Sequence, residues 1–470
     1  MLIPLLGALA TLRYGHQRRY LAVLCSTLVL AAVVLLLTGF QPDPAAGSPD
    51  AHQLPWPGVS TGIEDTGILF VTATAVLTFL LTLYELSETR KRAHTWLAAL
   101  LGLEALLMGL FTTSNLLYFT GLASLELMIL GYLLETRLFR QFMATGLILL
   151  WAATLLLGLY HARISGLWSW ELADLEKTRL PLAWQKFAFI LMFYAAAIRL
   201  AQFPLHTWLP ALTKTPGTTG FIIMLTGSKV GLYLLLRFVL PLLPDAVDHF
   251  RSLAAGLGVA GIFYGVLLAL MQISLYRLLA FVLISQTGML LVGVFSLNAD
   301  GLSGSLLLSF NFSLAMAGLF LTADMVLRRT GTLLIPRLEG LFDPLPWLAI
   351  TFLIATLSTL AMPGTPGFAA AHLLLEGVLA THDWGMAIAV AIGNLLSAAF
   401  LLYAFQKIFL LRKPGDGSRG PYSPVNRSET LLTSLICLIL LGVGFHEQPW
   451  IQWINRTTQH LPLLYPPSGP

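Results

Sequence analysis

The amino-acid sequence predicts an all-α, polytopic membrane protein with about fourteen transmembrane helices. Three observations carry that prediction. Of 470 residues, 57% are hydrophobic and 11% charged, with a mean hydropathy of +0.79; a soluble domain carries about 25% charged residues. The apolar residues gather in runs of about 20, the length that crosses a bilayer. The basic residues concentrate in alternate loops, the pattern that sets orientation in a membrane. Together these exclude a soluble enzyme, a disordered chain and a nucleic-acid binder. They also exclude an outer-membrane barrel, whose strands alternate and run only about ten residues. The surface must therefore meet the lipid bilayer.

The runs fall at 1–12, 20–40, 66–86, 95–113, 115–134, 141–160, 183–209, 219–241, 253–270, 272–296, 302–326, 345–370, 384–410 and 430–446. The first is short for a span. It is also unlike a signal peptide, because its basic residues follow the apolar run instead of preceding it. Arg13, Arg18 and Arg19 follow run one; Arg90, Lys91 and Arg92 follow run three; Arg137 and Arg140 follow run five. Lys214 follows run seven, Arg328, Arg329 and Arg337 follow run eleven, and Lys407, Arg412, Lys413 and Arg419 follow run thirteen. The loops 41–65 and 297–301 carry no Lys or Arg, and 161–182 is mixed. This alternation places the basic loops in the cytoplasm and both termini on the other side. Cys25 and Cys437 sit apart in apolar runs and supply neither a disulfide framework nor a cluster ligand set.

Two runs are interrupted. Phe203-Pro204-Leu205-His206-Thr207-Trp208-Leu209-Pro210 breaks run seven, and Met362-Pro363-Gly364-Thr365-Pro366-Gly367-Phe368 breaks run twelve. Proline removes a backbone donor and disrupts the preceding turn. Irregular backbone at membrane depth is tolerated only where protein or water satisfies it. A pair of broken helices in corresponding positions points to an inverted-repeat transporter over two ordinary proline kinks.

Ionisable residues inside apolar runs are costly and mark function by default. Glu104 and Glu126 lie mid-run, Arg199 lies four residues before the first break, and Lys229 lies in run eight. Glu104 also fits an interfacial acid if its helix shifts by a turn. His206, beside the first break, can relay protons because imidazole titrates near neutral pH. Arg237, two turns beyond Lys229, reads as a residue snorkelling to the interface. His372 and Glu376, after the second break, read as near the surface. The Gly256-Leu257-Gly258-Val259-Ala260-Gly261 stretch matches a dinucleotide fingerprint but lacks its strand and distal acid, so it reads as small-residue helix packing. The sequons at Asn426 and Asn455 are too short to weigh.

The stretch from Arg199 to Phe238 resembles the antiporter-like, proton-translocating membrane subunits of respiratory complex I, above all the M/D-type subunit. The matching pieces are the Phe203–Pro210 motif, Thr215-Pro216-Gly217-Thr218, and Lys229 with Tyr233, Arg237 and Phe238. Leu116–Leu134 with Glu126 is similar to the family's fifth helix, Arg277–Ala280 with Ser285–Gly288 to its tenth, and Arg328–Leu341 to the loop after its eleventh. The family includes Mrp antiporter, membrane-hydrogenase and inorganic-carbon uptake subunits. The resemblance implies N-terminal helices at 1–94, a first five-helix repeat at 95–241, an inverted second at 253–410, and a last helix with the tail at 411–470. It implies that Glu126 is the fifth-helix glutamate, that Arg199 stands where the seventh-helix lysine usually is, and that Lys229 is the eighth-helix lysine.

The departures are specific. Arginine does not deprotonate in a protein, whereas lysine can, so Arg199 is a fixed charge. Gln286 replaces a usual histidine, Tyr276 and Ser274 replace a lysine and an aspartate, Phe312 falls where a histidine or lysine is common, and Ala370 and Ala371 replace Gly-Glu. Three functions follow as expectations: an ion-translocating subunit of a complex I-type redox pump, the membrane subunit of an inorganic-carbon uptake assembly, or a non-conducting structural subunit. No haem, flavin or iron–sulfur motif is present, so no cofactor is expected in this chain. Other membrane and peripheral subunits would do the redox chemistry.

Overall fold

The computed structural model describes residues 1–13, 18–39, 65–87, 93–134, 136–213, 219–382, 384–411, 422–458 and 465. Arg90, Lys91, Arg92, Lys214, Arg412, Lys413, Arg419, the Thr215–Thr218 motif and residues 41–64 lie outside them. Among the described residues there is no strand, only isolated bridges joining Asn115 to Glu171 and Ser274 to Leu334. The helices in chain order are α1 (Leu2–Arg13), α2 (Arg18–Gly39), α3 (Asp65–Glu85), α4 (Ala93–Leu110), α5 (Leu116–Leu133), α6 (Arg137–Ser165), α7 (Leu172–Lys177), α8 (Leu182–Arg199), α9 (Trp208–Leu212) and α10 (Thr219–Leu234). They continue with α11 (Leu240–Leu242), α12 (Pro244–Leu270), α13 (Leu275–Val294), α14 (Ala299–Thr330), α15 (Pro346–Thr359), α16 (Pro366–Thr381), α17 (Trp384–Phe405), α18 (Arg427–Phe445) and α19 (Gln448–Thr458). Wide π turns at Leu235–Val239 and Gln406–Leu410 extend α10 and α17. Eleven of the described helical spans are long and apolar enough to cross a membrane, and α1, α4, α15 and α16 supply shorter apolar segments.

Both interruptions expected from the sequence are present. α8 ends at Arg199, and Ala201 takes a left-handed φ of 51° before the Phe203–Pro204 turn and short α9, which contains Pro210. α15 ends at Thr359, Ala361 takes φ 56° and Gly364 φ 85°, Pro363 lies in the intervening turn, and Pro366 opens α16. That position suits proline, whose missing N–H is unpaired in a first helical turn anyway.

The chain divides into two compact units. The first holds residues 1–200, 225–251 and 456–470. In it α1 packs on α2 and α4, α4 on α5, and α6 on α8. Asn115 caps α5 by accepting from the amides of Leu117 and Tyr118 at 3.0 and 3.2 Å, and its amide reaches Glu171 Oε1 at 3.0 Å. Gln185 ties α8 to the start of α12, donating to Asp245 Oδ2 at 2.8 Å and accepting from the amides of Asp245 and Ala246. The loop between α6 and α8 is ordered by α7. There the Ser169 hydroxyl and the Lys177 ammonium hold the Asp174 carboxyl below its ordinary range.

The second unit holds residues 201–224 and 252–455. α14 runs through its interior with every residue from Gly301 to Val326 buried, against α13, α15 and α16. The glycine pattern of α12 is helix packing: a Cβ at Gly258 would meet Gly288 O at 2.8 Å, and one at Gly265 would meet Phe281 O at 2.6 Å. Asn426 begins α18 as an N-cap in a reciprocal capping box with Glu429. Glu429 also forms a buried ion pair with Arg329 at the end of α14.

Candidate functional site

In the first unit four elements bring charge inward. Glu126 is fully buried near the middle of α5, and Arg199 is the last residue of α8. Arg199 Nη1 lies 2.7 Å from Glu126 Oε2, with side-chain exposures of 9% and 0%. A lone acid and a lone base read from the sequence are thus one buried ion pair. The mutual attraction offsets the desolvation that either would suffer alone.

Lys229 is 1% exposed on α10. Its neighbour in the first unit is set by Gly231: a Cβ there would meet Ala196 O at 2.8 Å and Arg199 Cβ at 3.0 Å. Glycine therefore lets α8 and α10 cross backbone to backbone, with Arg199 level with the turn that carries Lys229. Glu104 is fully buried on α4, and neither carboxylate oxygen has a hydrogen-bond partner among the described residues.

Arg237 lies in the π turn, half-buried, and donates to Ser114 Oγ at 3.1 Å. The widened turn aims it at the α4–α5 connection, among polar residues at the helix ends, as a snorkelling side chain would lie. Tyr233, one turn before it, points its hydroxyl at Thr113 O, 3.5 Å away.

His206 belongs to the second unit. It is buried in the break before α9, stacked 5.9 Å from Phe203 and tilted 4.5 Å from Tyr264, with Nδ1 unpaired among the described residues. Gln202, also in the break, donates to the Thr287 carbonyl of α13. Gln286 is fully buried, and neither its amide atoms nor the hydroxyls of Thr322 and Thr356 have a hydrogen-bond partner among the described residues. Asn311 and Ser358 bond reciprocally at 3.1 and 2.6 Å. Asp324 accepts from Tyr276 at 3.1 Å and from Arg328 at 3.1 and 3.3 Å. His372 and Glu376 lie 3.5 Å apart on the exposed face of α16, in keeping with the surface reading. Among the described residues no cluster of His, Cys, Asp or Glu is placed to hold a metal ion.

A family model described as the NADH:quinone oxidoreductase/Mrp antiporter transmembrane region matches residues 66–397. The chain belongs to this family. NAD(P)H-quinone oxidoreductase chain 4 2 of Thermosynechococcus vestitus is 29% identical over 384 residues, 79% of this chain and 72% of that one. NADH-quinone oxidoreductase subunit M of Escherichia coli K12 is 26% identical over 481 residues, covering 96% and 94%. A chain of respiratory complex I from Thermus thermophilus superposes with a TM-score of 0.87 at 28% identity, covering 98% of both chains. A chain of the Mrp complex from Dietzia sp. shares the fold, with a TM-score of 0.82 at 19% identity, covering 99% of this chain and 96% of that one. The family assignment makes this an integral, multi-pass, antiporter-like membrane subunit. Of the positions where the resemblance led us to expect other residues, Ser274, Tyr276, Gln286, Phe312, Ala370 and Ala371 all lie in the second unit. The exception is Arg199.

Sequence reasoning named Tyr233 and Phe238 only as pieces of a motif, and did not single out Asp324, Asn311, Phe70, Phe111 or Phe119. Asp324 carried a legible signal, an acid four residues before Arg328 on one helix face.

Proposed function

We propose that this chain moves protons across the membrane as the antiporter-like subunit of a complex I-type, redox-driven assembly. The observation that carries the reading is the buried Glu126–Arg199 ion pair beside the turn of α10 that holds Lys229. Lys229 is the switchable carrier, because an ammonium can release its proton. Glu126 is the acidic partner, and Arg199 is a permanent charge that biases both without carrying a proton itself. Glu104 and His206 extend the polar path in their own units. The breaks at Pro204–Pro210 and Pro363–Pro366 open backbone groups to water, one in each inverted repeat. Partner subunits hold the redox cofactors and the quinone chemistry. The assembly lies in a bacterial inner or thylakoid-type membrane, with both termini on the non-cytoplasmic side.

The test is Lys229→Met. In vesicles carrying the assembled complex, coupled proton movement should be lost while the subunit stays in the complex. Wild-type coupling by this variant overturns the reading. It would favour a structural subunit, a role for which the uncharged replacements Gln286, Phe312, Ala370 and Ala371 provide the motive.

A further inference from the structure

Five aromatic side chains of the first unit meet at one level. Phe70 comes from α3, Phe111 from the end of α4, Phe119 from α5, and Tyr233 and Phe238 from α10 and its π turn. Their exposures are 0–2%. The Tyr233 ring lies 5.5 Å from Phe70, 5.3 Å from Phe111, 6.0 Å from Phe119 and 6.4 Å from Phe238. Phe70 stacks on Phe111 at 5.2 Å, and Phe119 meets Phe238 at 5.1 Å with tilted rings. The elements are drawn together by a backbone contact: a Cβ at Gly67 would collide with Phe111 O.

What lies on either side of this box follows from helix rise. At about 1.5 Å per residue, Glu126 is about 10 Å along α5 from Phe119, and Glu104 about 10 Å along α4 from Phe111. Lys229 is about 6 Å along α10 from Tyr233, on the same face. All three displacements run to the same side, since α4 is antiparallel to α5 and α10 ends at the box. On the opposite side lie Thr113 O, Ser114 with Arg237, and Asn115 with Glu171. The charged interior and this outer polar cluster are therefore separated by rings whose one polar atom is the Tyr233 hydroxyl. A constriction lined by apolar side chains excludes water and stops ions by dewetting.

We propose that the Phe70–Phe111–Phe119–Tyr233–Phe238 box is the hydrophobic seal that closes the first unit's proton path on the side of the 161–182 loop. The inference rests on the proton-translocating reading. Tyr233 serves it as a ring that fills space and is anchored by its hydroxyl; proton conduction does not pass through that hydroxyl.

The experiment is passive proton leak under an imposed potassium-diffusion potential, in proteoliposomes of the assembled complex with no redox substrate. Coupled transport is measured on the same preparations. Phe119→Ala should raise the leak at least about tenfold, which corresponds to lowering the barrier by one factor of ten in rate. Phe119→Leu, which keeps an apolar side chain there, should leak little. Tyr233→Phe should keep both a tight membrane and coupled transport. The leak of Phe119→Ala should fall when Lys229→Met is added, because water admitted through the seal then finds no carrier. A tight Phe119→Ala complex, or a Tyr233→Phe complex that assembles but no longer transports, overturns the seal. If Lys229→Met alone leaves coupled transport intact, the proton-path reading fails, and that result is independent of the leak comparison.

Discussion

Breaking the Glu126–Arg199 pair from either end should be costly, and the two ends should not cost the same. Both side chains are buried, at 0% and 9% exposure, and their charged atoms lie 2.7 Å apart. Removing one partner of a buried ion pair typically costs about 3–5 kcal/mol, because the other charge is left without compensation. Glu126→Gln strands a guanidinium, which cannot neutralise itself by losing a proton. Arg199→Met strands a carboxylate, which can take up a proton and become neutral. Glu126→Gln should therefore fall near the top of that range and Arg199→Met near or below its lower end. Against a total stability of about 5–15 kcal/mol, the former is a third or more of what holds a typical domain together. The double variant has no charge left to strand, so it should be more stable than Glu126→Gln alone. The coupling between the two sites should then reach about 2–3 kcal/mol, the upper end for residues in direct contact. The assay is thermal inactivation of the solubilised assembly, with the amount of this chain retained in it as a second readout. Additive effects would refute the reasoning, as would an Arg199→Met complex less stable than Glu126→Gln. Either result would mean that the pair is solvated or that each charge has another partner.

Three further outcomes follow from the same geometry. Arg199→Lys should change the dependence of coupled transport on pH, because a deprotonatable group replaces a fixed charge beside Glu126; superimposable pH profiles at matched expression would remove Arg199 as an electrostatic gate. Gly231→Ala places a Cβ 2.8 Å from Ala196 O, so α8 and α10 must part. The cost should be about 1–3 kcal/mol, read as lower thermal stability with reduced transport. Glu429→Gln removes the buried counter-ion of Arg329 and weakens the α18 capping box. This should destabilise the second unit by about 3 kcal/mol or more, visible as early protease cleavage near α18 on heating.

The membrane spans were legible because hydrophobic length is a strong signal, and each of the fourteen apolar runs coincides with described helix. Their ends were not legible, because polar turns extend helices past their apolar stretch. α12 begins at Pro244, not 253, through an Asp-bearing first turn, and α14 extends to Thr330 through Arg328 and Arg329. α16 runs on to Thr381 past His372 and Glu376, where an apolar count stops at 370. α7 and α19 were missed for a related reason. Neither is a long apolar run; α19 buries Ile454 and stacks Trp450 on Phe310, while Gln452 stays exposed.

The ion pair was legible because isolated charges in apolar helices need partners. The aromatic box was not, because a phenylalanine in a membrane helix carries no signal of its own, and these five come from elements as distant as α3 and α10. Tyr233 alone offered a clue, one turn from Lys229 on the same face. The box becomes visible only when the close approach at Gly67 is known.

The interiors of the two units differ in kind, and that difference bears on how a proton could pass through each. In the first unit the buried ionisable side chains include three acids, Glu85, Glu104 and Glu126, together with His161, Arg199 and Lys229. With arginine in the pair, one positive charge is permanent, so around the pair the protonation state changes at Lys229, Glu126 or Glu104. In the second unit the buried acids among the described residues, Asp324 and Glu429, both face arginines at one end of α14. Tyr276–Asp324 and Ser305–Leu290 contacts fix the antiparallel register of α13 and α14 and bring Gln286 level with Asn311. There, His206 in the first break apart, the interior offers amides and hydroxyls: Gln286, Asn311, Ser358 and Thr356. Such groups donate and accept hydrogen bonds but do not hold a charge near neutral pH. Buried polar atoms without protein partners are where internal water binds, and Gln286 leaves both amide atoms unpaired among the described residues. Under the proton-translocating reading, the first unit stores and releases charge, while the second conducts along water held by neutral groups, with His206 at its break. The replacements that remove titratable side chains from the second unit, Gln286 for histidine above all, then alter how it conducts without requiring that it has stopped.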